Sequence, residues 1–229
     1  MKRINKGGKF LLVLLLSWHT ATVLLLSIIY SLVWFINCID NDEIVSNNTV
    51  PDNSTKTSLY LAENGINIKA SYTAVIGEFY PLGGISYLVV DSTMLYKMVA
   101  NDEDVTKVVT TNITNMGLMF DHKRFNQDIC SWDLGNGKDM NGMFDRVSSF
   151  NQDIGPWDVI NVTNMQFVFF GAESFNQNIS SWDVSGVISM NDMFANAESF
   201  NWDLSSWIVY EVTKYSDFSN NLSSCTLPK

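Results

Sequence analysis

Three aspartates at one spacing, Asp133, Asp158 and Asp183, carry the most obvious chemical potential in this sequence. Carboxylates stacked at a fixed repeat could share calcium, a hard cation that takes oxygen ligands. A plainer role competes, in which each carboxylate caps a turn or helix N–H beside the tryptophan that precedes it. Ile208 stands in the fourth place and no dense Asp-x-Asp loop is present, so capping is expected and no metal is assigned. Hydrolysis by paired carboxylates needs a cleft that sets two of them apart, and a uniform column singles out none. His122 is the one histidine beyond the apolar N-terminal block, and no glycine-rich phosphate loop occurs. Cys38, Cys130 and Cys225 lack the close spacing of zinc sites, and Cys130 reads as a small core residue. The expectation is a protein without catalytic residues, metal or cofactor, and not an enzyme.

These residues sit inside a repeat. FNQDI occurs at 125–129 and 150–154, FNQNI at 175–179 and FNWDL at 200–204. Phe125, Phe150, Phe175 and Phe200 keep a spacing of 25, as do Trp132, Trp157, Trp182 and Trp207. Met140, Met165 and Met190 share the period, with Tyr215 in the next place, and Asn126, Asn151, Asn176 and Asn201 form a further column. A period of this size is the signature of a solenoid, because so short a unit cannot bury a Phe, a Trp and a Met alone. The aromatic columns are expected to be core ladders. The Asn column is expected to bond backbone groups of adjacent turns rather than a ligand.

Within each unit, Asn115, Asp139, Asn164 and Ser189 precede the methionine column, and all are favoured helix N-caps. Met140, Met143 and Phe144 have the i, i+3, i+4 spacing of one helical face, as do Met190, Met193 and Phe194. This predicts a short helix of about two turns per unit. A short strand is expected near FNQDI or WDVxxV, although Pro156 could not donate a ladder hydrogen bond.

FNQDIxxWDV and VTNM, repeated at this period with an MF pair following, resemble the BspA-like leucine-rich-repeat surface proteins. These form a domain-of-unknown-function family of mycoplasmas and Bacteroidetes. LAENGINIKA (61–70), GISYLVVD (84–91) and VVTTNITNM (108–116) resemble what leads into such repeats, so the likeness covers roughly residues 59–225. It implies a right-handed leucine-rich-repeat-like solenoid, display on the cell surface and, for some members, adhesion to host or matrix. It supplies no catalytic residues. The chain departs from the pattern in a first unit one residue short between Phe120 and Phe125, in Val168 where Met is usual, and in NWDL and WIV of the fourth unit.

The elements that would position this repeat begin with a membrane attachment. Phe10 to Ile36 contains no Asp, Glu, Lys or Arg, and its length exceeds the roughly 20 residues that cross a bilayer as a helix. Lys2, Arg3, Lys6 and Lys9 precede it and acids follow, which predicts a cytoplasmic N-terminus and an exported remainder. Two forms of attachment stay open. One is an uncleaved signal anchor; the other is a lipoprotein signal with lipid on Cys38, against which Asn37 counts because a small residue normally stands there. After the first four cations, the other 10 of the 14 Lys and Arg face all 24 Asp and Glu, about −14 in net charge. A polyanion repels phosphate backbones, which argues against nucleic acid as a partner.

The expected organisation is a membrane anchor or lipoprotein signal at 1–39 and a disordered tether at 40–57. An N-terminal α+β cap follows at 58–110, then 25-residue repeats at 111–214 and a capping coil at 215–229. Asp91-Ser92 is expected to cap a helix through Met94, Leu95 and Met98. The fold class is α/β, a leucine-rich-repeat-like solenoid of four to five coils, each with a short helix and a short parallel strand. The expected function is that of an adhesin or a protein- or glycan-binding module with an extracellular or host partner. The alternative is an envelope spacer, or a self-associating surface component without a specific ligand.

Overall fold

A computed structural model describes residues 57–219. The anchor and Cys38 lie outside the described residues, as do the tether before Thr57 and the stretch after Ser219. Among the described residues no helix is long and apolar enough to cross a membrane.

All named elements precede the repeats. Strands β1 (Leu59–Leu61) and β2 (Ile68–Ala70) pair antiparallel, Leu59 facing Ala70. Strands β3 (Phe79–Leu82) and β4 (Ile85–Val89) form a hairpin closed by Gly83 and Gly84. Both glycines have positive φ, +57° and +79°, as the tightest hairpin turns require. Helix α1 (Ser92–Ala100) follows, and β5 (Val108–Val109) returns parallel to β4. Asp91 caps α1, its Oδ1 accepting the Met94 N–H at 2.8 Å, because the first helical N–H groups have no partner within the helix. Leu95 and Val99 bury the inner face of α1 against the same core that runs through the repeats to Phe218.

The expected solenoid with a helix and a strand in every coil is corrected here. The described residues form small sheets and one helix, and the 25-residue units contain neither helix nor strand. The β-pairing between consecutive units is limited to isolated parallel bridges, Asn115 to Asp139, then Asn164, Ser189 and Lys214.

The physical reason lies in the backbone hydrogen bonds. The N–H groups of Met116, Leu118, Phe120 and His122 donate to the carbonyls of Asp139, Asn141, Met143 and Asp145 in the next unit. The same pattern links later units, with N···O distances between 2.6 and 3.0 Å. The intervening N–H groups of Met119, Asp121 and Lys123 close turns onto the residue three positions back. A helix would spend every N–H on the carbonyl four residues earlier; here alternate donors point out of the unit. Residues with positive φ achieve that turn-out at two places per unit. Leu118, Gly142, Phe167 and Asp192 occupy the first, with φ between +53° and +61°, and His122, Arg146, Gly171 and Asn196 the second, between +55° and +63°. An isolated two-turn helix is marginal in water, whereas each unit here gains hydrogen bonds and ring contacts from its neighbours. The face read as helical is nevertheless buried: Met140, Met143 and Phe144 are fully enclosed, as are Met190, Met193 and Phe194.

Candidate binding surface

Trp132, Trp157, Trp182 and Trp207 occupy one column. Trp132 and Trp157 stack with centroids 6.4 Å apart, as do Trp157 and Trp182. Each indole N–H reaches one unit back: Trp132 to the Val105 carbonyl, Trp157 to Ile129, Trp182 to Ile154 and Trp207 to Ile179, at 3.0 to 3.2 Å. A buried indole needs such an acceptor. Phe125, Phe150, Phe175 and Phe200 stack at 5.8 to 6.1 Å. A second ladder, Phe120, Phe144, Phe169 and Phe194, lies against the first. Met140, Met165 and Met190 are fully buried, while Tyr215 in the next place is exposed.

The asparagine column joins unit to unit. The Oδ1 atoms of Asn126, Asn151 and Asn176 accept the backbone N–H of Asn151, Asn176 and Asn201 in turn, at 2.9, 2.9 and 3.2 Å. Asn126 and Asn201 are exposed. Gln152 and Gln177 add bonds to the preceding unit's asparagine carbonyl. Trp202 replaces the glutamine in the fourth unit, and its indole N–H makes the equivalent bond to Asn176 at 3.1 Å.

Asp133, Asp158 and Asp183 each accept the N–H two residues on, from Gly135, Ile160 and Ser185. Asp128, Asp153, Asn178 and Asp203 do the same in a neighbouring column, as do Asn115, Asp139 and Asn164. Such local bonds pin a turn without a helix. Ser189, next in the last of these columns, leaves its Oγ buried without a partner.

His122 belongs to a cluster that spacing did not reveal. Among the described residues, Asp121, His122 and Asp145 place one ligand atom each within 4.8 Å of one another. Both His122 nitrogens, an Asp121 oxygen and one Asp145 oxygen are already engaged, however. His122 Nδ1 meets Asp121, and Arg146 Nη1 lies 3.0 Å from Nε2 and 3.5 Å from an Asp145 oxygen. Arg146 also lies over the Phe170 ring at 5.0 Å. A guanidinium in that position opposes a cation. Burial pushes the Asp145 carboxyl above its ordinary pKa, Arg146 opposing and Asp121 adding to the rise. Its Oδ1 has no hydrogen-bond partner.

The surface best suited to contact is a flank of turns. Val162, Val187 and Val212 donate their N–H groups to Val159, Val184 and Val209, closing a turn in each unit. Around these turns the outer places vary among the units: Asp158, Asp183, Ile208; Ile160, Ser185, Tyr210; Thr163, Ile188, Thr213, all exposed except the half-buried Ser185. Ile160, Ile188, Ile208 and Tyr210 are exposed apolar side chains on this flank. Its signal in the sequence is inverse, since these columns repeat less strictly than the buried Phe and Trp columns.

No curated protein and no solved structure matches the chain. Residues 91–207 and, overlapping them, 154–226 match the family described as Mycoplasma protein of unknown function, DUF285. The two matches span the helix, the aromatic ladders and the variable flank, and together they cover more than half of the sequence, so the chain belongs to that family.

Proposed function

We propose that this chain is a membrane-attached surface protein of the BspA-like kind that binds an extracellular protein or glycan without catalysis. One observation carries the reading. The buried columns keep Phe and Trp from unit to unit, whereas the exposed flank varies, with Ile208 where Asp158 and Asp183 stand, Tyr210 where Ile160 stands, and Ile188 between Thr163 and Thr213. A spacer needs only the repeated frame; a frame that holds differing side chains at fixed separations suits recognition of one partner. From Val147 to Thr213 there are acids and no Lys or Arg, so basic or neutral partners are favoured.

The test uses the full chain in lipid nanodiscs, presented to fibronectin, fibrinogen, collagen and a glycan array at low and physiological salt. Saturable micromolar or tighter binding that survives physiological salt is expected. The combined change Ile160→Ser, Ile188→Ser, Ile208→Ser and Tyr210→Ser should weaken it at least about tenfold, a loss of about 1.4 kcal/mol. Binding seen only at low salt would mean charge attraction without a site. Failure with every partner would leave the envelope-spacer reading in its place.

A further inference from the structure

Beside the entry of the chain into the folded part lies an apolar projection that the repeats do not use. Tyr72, Val75, Ile76 and Phe79 are 89%, 56%, 45% and 63% exposed, in one short loop and at the first residue of β3 that ends it. The loop is built rather than slack. Ala74 N–H closes a turn on Ser71, Glu78 N–H closes another on Val75, and the Tyr80 hydroxyl accepts the Val75 N–H at 2.9 Å. Gly77 N–H and Glu78 carbonyl then tie its far end to Val89 of β4. Four large apolar side chains held in water by such a frame mark a contact surface.

We infer that this loop rests in the interface of the lipid bilayer to which the chain is attached. The inference relies on the membrane-attached reading above. Its position supports lipid as the occupant: the Ser71 N–H donates to the Ser58 carbonyl at 2.8 Å, so the loop begins where residues 40–57 arrive from the apolar block at 10–36. The composition agrees, because Tyr and Phe beside aliphatic residues suit the boundary between headgroups and acyl chains. Glu78 is the loop's one charged residue between Lys69 and Asp91, whereas the repeats from Val147 to Thr213 are acidic and would be repelled by anionic headgroups.

The experiment reconstitutes the full chain in vesicles containing a phosphatidylcholine with a diazirine high on its acyl chain. Irradiation is followed by trypsin and mass spectrometry. Cleavage after Lys69 and Lys97 isolates the loop in one peptide, 70–97, and cleavage after Arg146 and Lys214 isolates a repeat peptide, 147–214. Lipid adducts are expected on 70–97 and on the apolar block, with at least about fivefold fewer on 147–214. The combined change Tyr72→Ser, Val75→Ser, Ile76→Ser and Phe79→Ser should remove most adducts from 70–97 while leaving those on the apolar block. Adducts on the apolar block alone would overturn the docking while keeping the attachment. Adducts nowhere would overturn both. Cross-links joining 70–97 of two copies, in place of lipid, would assign the loop to self-association and overturn the inference.

Discussion

Trp157 donates its indole N–H to the carbonyl of Ile129, 3.1 Å away and one unit back along the chain. The ring thus serves twice, as a stacked core element between Trp132 and Trp182 and as a tether between units. Trp157→Ala should cost about 3–5 kcal/mol through the cavity it leaves. Trp157→Phe keeps part of the stack and removes one of the two hydrogen bonds to the Ile129 carbonyl, which still accepts the Trp132 N–H at 3.1 Å, an expected cost of about 0.5–1.5 kcal/mol. Urea unfolding of the full chain in detergent, followed by circular dichroism, measures both. Ser148→Ala, on the exposed side, should stay within about 0.5 kcal/mol. Equal small effects from Trp157→Ala and Ser148→Ala would contradict the stacked column.

Asp192 distinguishes turns from a helix. It has φ +53° at a place where its neighbours in the column are Leu118, Gly142 and Phe167. A left-handed residue with a Cβ costs roughly 1–2 kcal/mol, so Asp192→Gly should be more stable than Asp192→Ala by about 1 kcal/mol after Gly's greater unfolded freedom is counted. Both variants lose the same charge. In a helix the order would reverse, with Ala better by about 1 kcal/mol. Comparing the two urea midpoints decides between them.

Asp145 gives a pH dependence with a definite sign. Its folded-state pKa is raised, chiefly by burial, so the folded chain holds that proton more readily than the unfolded one. Stability therefore falls as pH rises from the ordinary carboxylate value through the raised one, and the penalty is fully present above it. Asp145→Asn removes this slope and should unfold at an equal or higher urea midpoint near neutrality. Midpoints collected from about pH 4 to about pH 7 give the comparison. A wild-type slope that persists unchanged in Asp145→Asn would assign it to other groups.

Attachment is read by fractionation and radiolabelled palmitate in a bacterial host. The chain should travel with membranes. Label that disappears in Cys38→Ala would assign a lipid anchor, and membrane retention without label would assign an uncleaved span. A soluble cytoplasmic product would contradict both.

Much of the interior was legible from spacing. Phe, Trp and Met at 25-residue intervals named residues that are in fact buried, and Asp91 marked the start of α1. The helix expected in each unit was not there, although its buried face was. The pattern Met140, Met143, Phe144 reports which side chains face inward, and overlapping turns bury the same three. The cluster of His122, Asp121, Asp145 and Arg146 was equally hidden, since His122 meets Arg146 across 24 residues of sequence.

The repeat alone determined the chain's register: a Phe over a Phe and a Trp over a Trp require neighbouring units to pack in step, whatever their backbone does. Only the tertiary structure decided that backbone. Met140 N–H bonds to Asn164, and Gly142 N–H to Gln166, in the following unit rather than within its own. Local propensity compares a residue with those three or four positions away. It cannot weigh acceptors that arrive from a neighbouring unit, and those acceptors make left-handed turns at Leu118, Phe167 and Asp192 more favourable than a helix.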